Sequence, residues 1–153
     1  MLSRRMALAL SGTGLLTASP ALAAEMFDDH HLASDRQRIE QAYRAFNAAF
    51  GNAASVAALY AERAVLLPPT HDIVRGRTAI RRFWRAAFDA GLHGHTLDLV
   101  TFRSDVRTIV TAARWSARGR DAQGRPATFG GIATIVFARH GDGGLAIWLH
   151  TWN

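Results

Sequence analysis

At Gly91 the sequence changes its period, and that change restricts the fold more than any other feature. Before it, Ile39, Ala42, Tyr43, Phe46, Ala49 and Phe50 recur at helical spacing, and Gly51 supplies a C-terminal stop. Ile80, Phe83, Trp84, Ala87 and Phe88 repeat the pattern in a helix predicted from Thr78 to Gly91. After it, the segments Thr96–Phe102, Thr108–Ala117, Ala127–Arg139 and Leu145–Trp152 alternate with a period of two. Ser104-Asp105, Asp121–Gly124 and Gly141–Gly144 are the turns between them. Helices first and an antiparallel meander after predict an α+β domain with helices on one face of the sheet.

The remaining elements are read from local signals. Ser34 with Gln37 forms a capping box, so the first helix is expected to start at Ser34, after a short tail over residues 24–33. A second short helix is expected over Ala53–Tyr60, with Val56, Leu59 and Tyr60 inward. Ala64–Leu67 reads as a short apolar strand halted by Pro68-Pro69. Gly130 and Gly131, inside the third long strand, predict a bulge or sharp bend there. The 153 residues, 49% of them hydrophobic, suffice for one domain with one core, over residues 34–153.

The first 23 residues read differently. Arg4 and Arg5 form a basic n-region, Ala7–Ala18 is mostly apolar, and Ala21-Leu22-Ala23 is a small-x-small cleavage signal. These features predict a secretory signal peptide over residues 1–23, export to a bacterial periplasm and no membrane segment afterwards; Ser3-Arg4-Arg5 also fits a twin-arginine route. Its removal takes away two arginines and lowers the net charge from +6 by that amount. The chain has no cysteine, so burial and dimerisation must supply its stability. All 18 basic residues are arginine. The largest cluster, Arg81, Arg82 and Arg85, lies opposite the apolar face of its helix and reads as a solvated surface; no nucleic-acid motif accompanies it. The pair His93 and His95 lacks a converging third ligand, and no metal or cofactor motif is present.

Leu66-Leu67-Pro68-Pro69, then Val74-Arg75-Gly76-Arg77, Ala79-Ile80 and Phe83-Trp84, closing on Trp152-Asn153, resemble the nuclear-transport-factor-two-like superfamily. Within it the chain is similar to the SgcJ/EcaC-type SnoaL-like proteins and, more distantly, to ketosteroid isomerase. The resemblance implies a cystatin-like cone, in which a curved antiparallel sheet packs against three helices around a pocket. It also implies a homodimer formed through the outer sheet face. Tyr43 falls where the isomerase carries its catalytic tyrosine, and Tyr60 and Trp84 fall at neighbouring aromatic positions. Pro68 occupies the place of the carboxylate base, and Ile135 that of the second aspartate. Two of the three chemical groups that mechanism requires are thus absent, which argues against isomerisation by that route.

Other residues qualify for a site. Trp148, His150 and Trp152 share one face by alternation, and the resemblance turns that face inward. Asn47 lies one helical turn after Tyr43, and His71 sits on the loop that would rim the pocket. With Phe88 these residues describe an aromatic-lined pocket: Tyr43, Asn47, Tyr60, His71, Trp84, Phe88, Ile135, Trp148, His150 and Trp152. Three functions stay open: binding of a small apolar or amphipathic molecule, a cyclase or isomerase using His150 and Tyr43, and a homodimeric interaction module whose pocket is filled by its own side chains.

Overall fold

Helix α1 (Pro20–Ala49) opens the computed structural model, which describes residues 20–153. The expected start at Ser34 is corrected: residues 24–33 continue the helix rather than forming a separate tail. Nothing from Ala21 to Ala33 breaks a helix, and Pro20 takes the first position, where a missing N–H costs nothing. The predicted leader over residues 1–23 lies mainly outside the described residues.

Helix α2 (Ala53–Ala58) is capped by Asn52, whose Oδ1 accepts the backbone N–H groups of Ala54 and Ser55 at 3.0 Å each. The chain then enters β1 (Tyr60–Leu67), adds the two-residue β2 (Val74–Arg75) and continues into α3 (Arg77–Asp89). Four long strands follow: β3 (His93–Ser104), β4 (Thr108–Arg120), β5 (Pro126–Arg139) and β6 (Leu145–Trp152). All six strands form one curved sheet in the order β2-β1-β6-β5-β4-β3. Its long strands pair antiparallel as the meander predicts, while β1 runs parallel to β6. That pairing starts β1 at Tyr60 rather than Ala64, because Tyr60 lies opposite Ile147.

A bulge at Gly130 and Gly131 and a shared inner face for Trp148 and His150 are both overturned. The β4–β5 ladder runs unbroken through Gly130 and Gly131, opposite Ser116 and Trp115. Glycine is needed there for clearance: a Cβ on Gly131 would strike the backbone and side chain of Asn153, and one on Gly130 would lie 2.9 Å from the Trp115 carbonyl oxygen. The irregularities sit elsewhere, on β3 and at the β5–β6 pairing. Phe137 pairs with Ile147 and Val136 with Leu149, so Trp148 is the extra residue of a bulge. The bulge resets the alternation. Ile147 and His150 are buried, and Trp148 is thrown outward at 51% exposure instead of sharing the inner face with His150.

The core lies between the inner sheet face and the helices. Ile39, Tyr43 and Phe46 of α1, Val56 of α2, and Ile80 and Trp84 of α3 meet Leu66, Leu97, Ile109, Ile135, Phe137 and Ile147. Burial of each large apolar side chain contributes about 1.5–3 kcal/mol.

A polar clamp fixes α1 to the far end of the sheet. Arg139 Nη1 and Nη2 donate to the two carboxylate oxygens of buried Asp35 at 2.8 and 2.6 Å. Ser104 Oγ donates to the same carboxylate, and Arg139 Nε donates to the Asp105 carbonyl at 3.0 Å. The Arg139 hydrogen bonds hold the Asp35 carboxyl below its ordinary range, and Ser104 and the nearby Arg38 charge add to the effect. A depressed folded-state pKa stabilises the fold above the ordinary carboxylate range and is lost as pH falls through the folded value. Asp35→Ala, which leaves Arg139 uncompensated, is expected to lose about 3 kcal/mol at neutral pH. It should also show a flatter acid limb below about pH 4; urea denaturation across pH measures both.

Candidate functional site

The junction of α2 with β1 places Tyr60 at the bottom of the fold, fully buried. Its carbonyl accepts Arg77 Nε and Nη2 at 3.0 and 2.8 Å, which ties the start of α3 to β1. Its hydroxyl accepts Trp84 Nε1–H at 3.3 Å and lies 2.8 Å from His150 Nδ1. Proton placement follows from satisfying both groups. Were His150 Nδ1 the donor, the tyrosine O–H would be left buried without an acceptor. Tyr60 therefore donates to Nδ1, and the proton of the neutral imidazole sits on Nε2. The ring packs against Phe46, Tyr60 and Trp152, with centroids at 5.7, 6.1 and 5.0 Å.

A second histidine belongs to the same cluster. His95 Nδ1 lies 3.0 Å from Asn47 Oδ1, an oxygen that can only accept, so Nδ1 carries the proton and Nε2 a lone pair. The His95 ring stacks on Phe50 at 4.4 Å and contacts Phe46 at 5.2 Å. Among the described residues, neither Nε2 has a hydrogen-bond partner. No fully enclosed side-chain nitrogen or oxygen lacks one there, so both Nε2 atoms still meet accessible space. Burial pushes the His150 imidazole down to about 3, helped by the nearby His95, and burial pushes His95 down to about 4. Both rings are neutral at pH 7.

The other predicted residues divide. Tyr60, Trp84 and Trp152 join His150: Trp84 and Trp152 stack at 5.7 Å, and Phe88 lies against Trp84 at 5.9 Å. Ile135 is fully buried opposite His150 on the adjoining strand. Asn47 enters through His95. Tyr43 is buried, with its hydroxyl donating to Thr111 Oγ1 at 2.8 Å, and Thr111 donating in turn to the Ile135 carbonyl at 3.1 Å. Burial raises the Tyr43 phenol to about 12. His71 and Trp148 are not part of the cluster. His71 is exposed on the β1–β2 loop with φ of 65°, and Trp148 is turned out by its bulge.

Sequence reasoning weighed His95 only as half of a metal pair with His93. The signal for its true position was available: His95 precedes Leu97 and Leu99 by two and four residues, on the inward face of the same strand.

The interior holding these residues is closely filled. A cavity of about 230 Å³ lies on the other side of α1, lined by Arg38, Gln41, Ala42, Ala45, Phe137 and Leu145 among others. A shallow groove of about 340 Å³ between α1 and β3 reaches Tyr43 and Asn47 from outside. Neither touches His150, Trp84 or Trp152.

A curved sheet wrapped on helices, with an aromatic interior holding a few fixed polar groups, defines the class of small cone-shaped α+β domains. A family model for the SnoaL-like domain matches residues 39–146, and the chain belongs to that family. Solved structures share the fold at low identity. A ketosteroid isomerase-like protein from Erwinia carotovora atroseptica is 14% identical, covers 76% of this chain and 92% of its own, and superimposes with a TM-score of 0.67. A nuclear-transport-factor-2-like protein with a cystatin-like fold from Novosphingobium aromaticivorans is 16% identical over 88% and 89%, with a TM-score of 0.63. A superfamily member from Salmonella enterica serovar Typhimurium is 14% identical over 80% and 92%, with a TM-score of 0.66. Among functionally curated proteins, none matches the sequence.

The two neutral imidazoles make stability depend on pH. The unfolded chain protonates near the ordinary histidine value, whereas the folded rings hold out to about 3 and 4. Between those limits the unfolded state binds more protons, so stability is level above about pH 6.5 and falls as pH drops. The expected slope is about 1.4 kcal/mol per pH unit for each histidine. Urea denaturation at pH 7.5 and pH 5 measures it, and His150→Phe should remove its own share of the loss.

Proposed function

We propose that this SnoaL-like domain binds a small apolar or amphipathic molecule in its aromatic interior, with His150 as the polar anchor. One observation carries the reading: His150 is 2% exposed, spends Nδ1 on Tyr60, and keeps an Nε2–H with no partner among the described residues. That N–H is not sealed off, so a ligand carbonyl or hydroxyl can reach it as a ready hydrogen-bond acceptor. Because the interior is filled, the ligand enters by displacing the half-buried Phe88 at its margin. The exported form, freed of residues 1–23 and located in the periplasm, is the form in which we place this activity.

An enzyme using His150 as base and Tyr43 as oxyanion donor has less support. Its proton placement is reversed, since His150 Nε2 is a donor, and the Tyr43 proton is committed to Thr111. Native mass spectrometry of the chain from Ala24, taken gently from the exported fraction, tests the binding reading. A discrete small added mass that is lost in His150→Phe is the expected result. A bare chain that also takes up no hydrophobic fragment defeats the reading.

The filled interior favours a second reading, a homodimeric interaction module working through the outer sheet face. Val110 and Ile132 stand out from that face, each at 42% exposure. Sedimentation velocity should then show a dimer that Ile132→Asp converts to monomer without loss of fold. A monomeric wild-type chain at high concentration excludes this reading.

A further inference from the structure

We infer that His95, oriented by Asn47, is the hydrogen-bond acceptor of the interior site and selects neutral ligands that offer a donor as well as an acceptor. This inference rests on the small-molecule reading above and extends it to a residue that reading does not use.

Three observations converge on His95. Its tautomer is fixed from one side, because Asn47 Oδ1 takes the Nδ1 proton at 3.0 Å and leaves the lone pair on Nε2. The ring is clamped rather than loose: Phe50 lies parallel to it at 4.4 Å and 18°, and Trp115 parallel at 6.4 Å and 17°. Trp115 is itself held, its indole N–H donating to the Asn153 carbonyl at 3.2 Å. Finally, His95 and His150 share one neighbour, Phe46, whose ring centroid is 5.2 Å from the first and 5.7 Å from the second.

The two imidazoles are therefore complementary. Each spends Nδ1 within the protein, and each leaves Nε2 over, one as N–H and the other as lone pair. A histidine that served packing alone would gain nothing from this split; an apolar ring would fill the same space without an unpaired nitrogen. The split suits a molecule whose carbonyl meets His150 and whose hydroxyl meets His95. A carboxylate would meet the His95 lone pair repulsively, and neither neutral ring would balance its charge.

Side-chain ¹⁵N NMR of the full exported chain tests this with three fragments: phenol as donor, acetophenone as acceptor, and 4-hydroxyacetophenone as both. Without fragment, His95 Nε2 should resonate as an unprotonated nitrogen and His150 Nε2 as a protonated one. Acetophenone should shift His150 alone, phenol His95 alone, and 4-hydroxyacetophenone both. The combined fragment should bind about tenfold more tightly than acetophenone, the gain expected of one added hydrogen bond. His95→Phe, which keeps an aromatic ring between Phe50 and Trp115, should abolish that preference, so that acetophenone and 4-hydroxyacetophenone bind alike. Asn47→Ala, which removes no core side chain, should release the His95 tautomer into a mixture and weaken phenol binding. A protonated His95 Nε2 in the wild type, or a donor preference that survives in both variants, overturns the role of His95 while His150 remains the anchor. Failure of all three fragments to move either histidine overturns the binding reading and this inference with it.

Discussion

The Tyr60 side chain and carbonyl join β1, α3 and β6 at one point. The carbonyl is held by Arg77 at the start of α3, and the hydroxyl by Trp84 two turns further along the same helix. The same hydroxyl reaches His150 on β6. Three elements that are distant in sequence thus converge on one buried phenol, and each contact explains a feature of another. The β1–β6 register is irregular between Tyr60 and Val65, which leaves the Tyr60 carbonyl turned toward Arg77. The phenol can donate only once, and Trp84 already donates to it, so the protonation of His150 is decided by its neighbours and not by its own ordinary basicity.

The bulge at Trp148 has consequences on both sheet faces. Simple alternation through β6 would put Trp148 and His150 together on the inner face. Inserting one residue opposite the Val136–Phe137 step turns the indole outward and keeps Ile147, His150 and Trp152 inward. The cost is an exposed tryptophan; the gain is an interior in which one imidazole replaces a second large indole. Near the other end of the same strand, Asn153 lies over Gly131, takes the Trp115 indole proton and accepts the Ile132 N–H at 2.9 Å. The C-terminal end of β6 is therefore fixed by specific contacts beside the aromatic cluster.

Much of this was legible in the residues. The change of period at Gly91 was enough for the α+β architecture, and the motif from Leu66 to Trp84 for the family. Tyr60, Trp84, His150 and Trp152 gather as spacing and resemblance imply. What could not be read was where alternation breaks. A bulge displaces every later residue by one face, and nothing local to Trp148 announces it; only the pairing with Val136 and Phe137 does. The glycine pair at 130–131 misled for the opposite reason, since its need is clearance from Asn153, a contact more than twenty residues away in sequence. Asp35 was invisible as a buried group because its partner, Arg139, lies at the far end of the chain.

The position of the histidines also bears on the isomerase chemistry of a related fold. Pro68 is buried where the resemblance places a carboxylate base, and Ile135 is wholly apolar and enclosed where it places an acid. Neither residue can take part in proton transfer. The polarity of this interior has moved instead to its two ends along Phe46, onto a donor fixed by tyrosine and an acceptor fixed by asparagine. Both groups stay uncharged at neutral pH, because the aromatic walls that would hold a ligand are the same walls that disfavour imidazolium. On the proposed binding role, such an interior would recognise a ligand by hydrogen-bond direction rather than by charge, and its selectivity would depend on the two small anchoring bonds that set which nitrogen carries the proton.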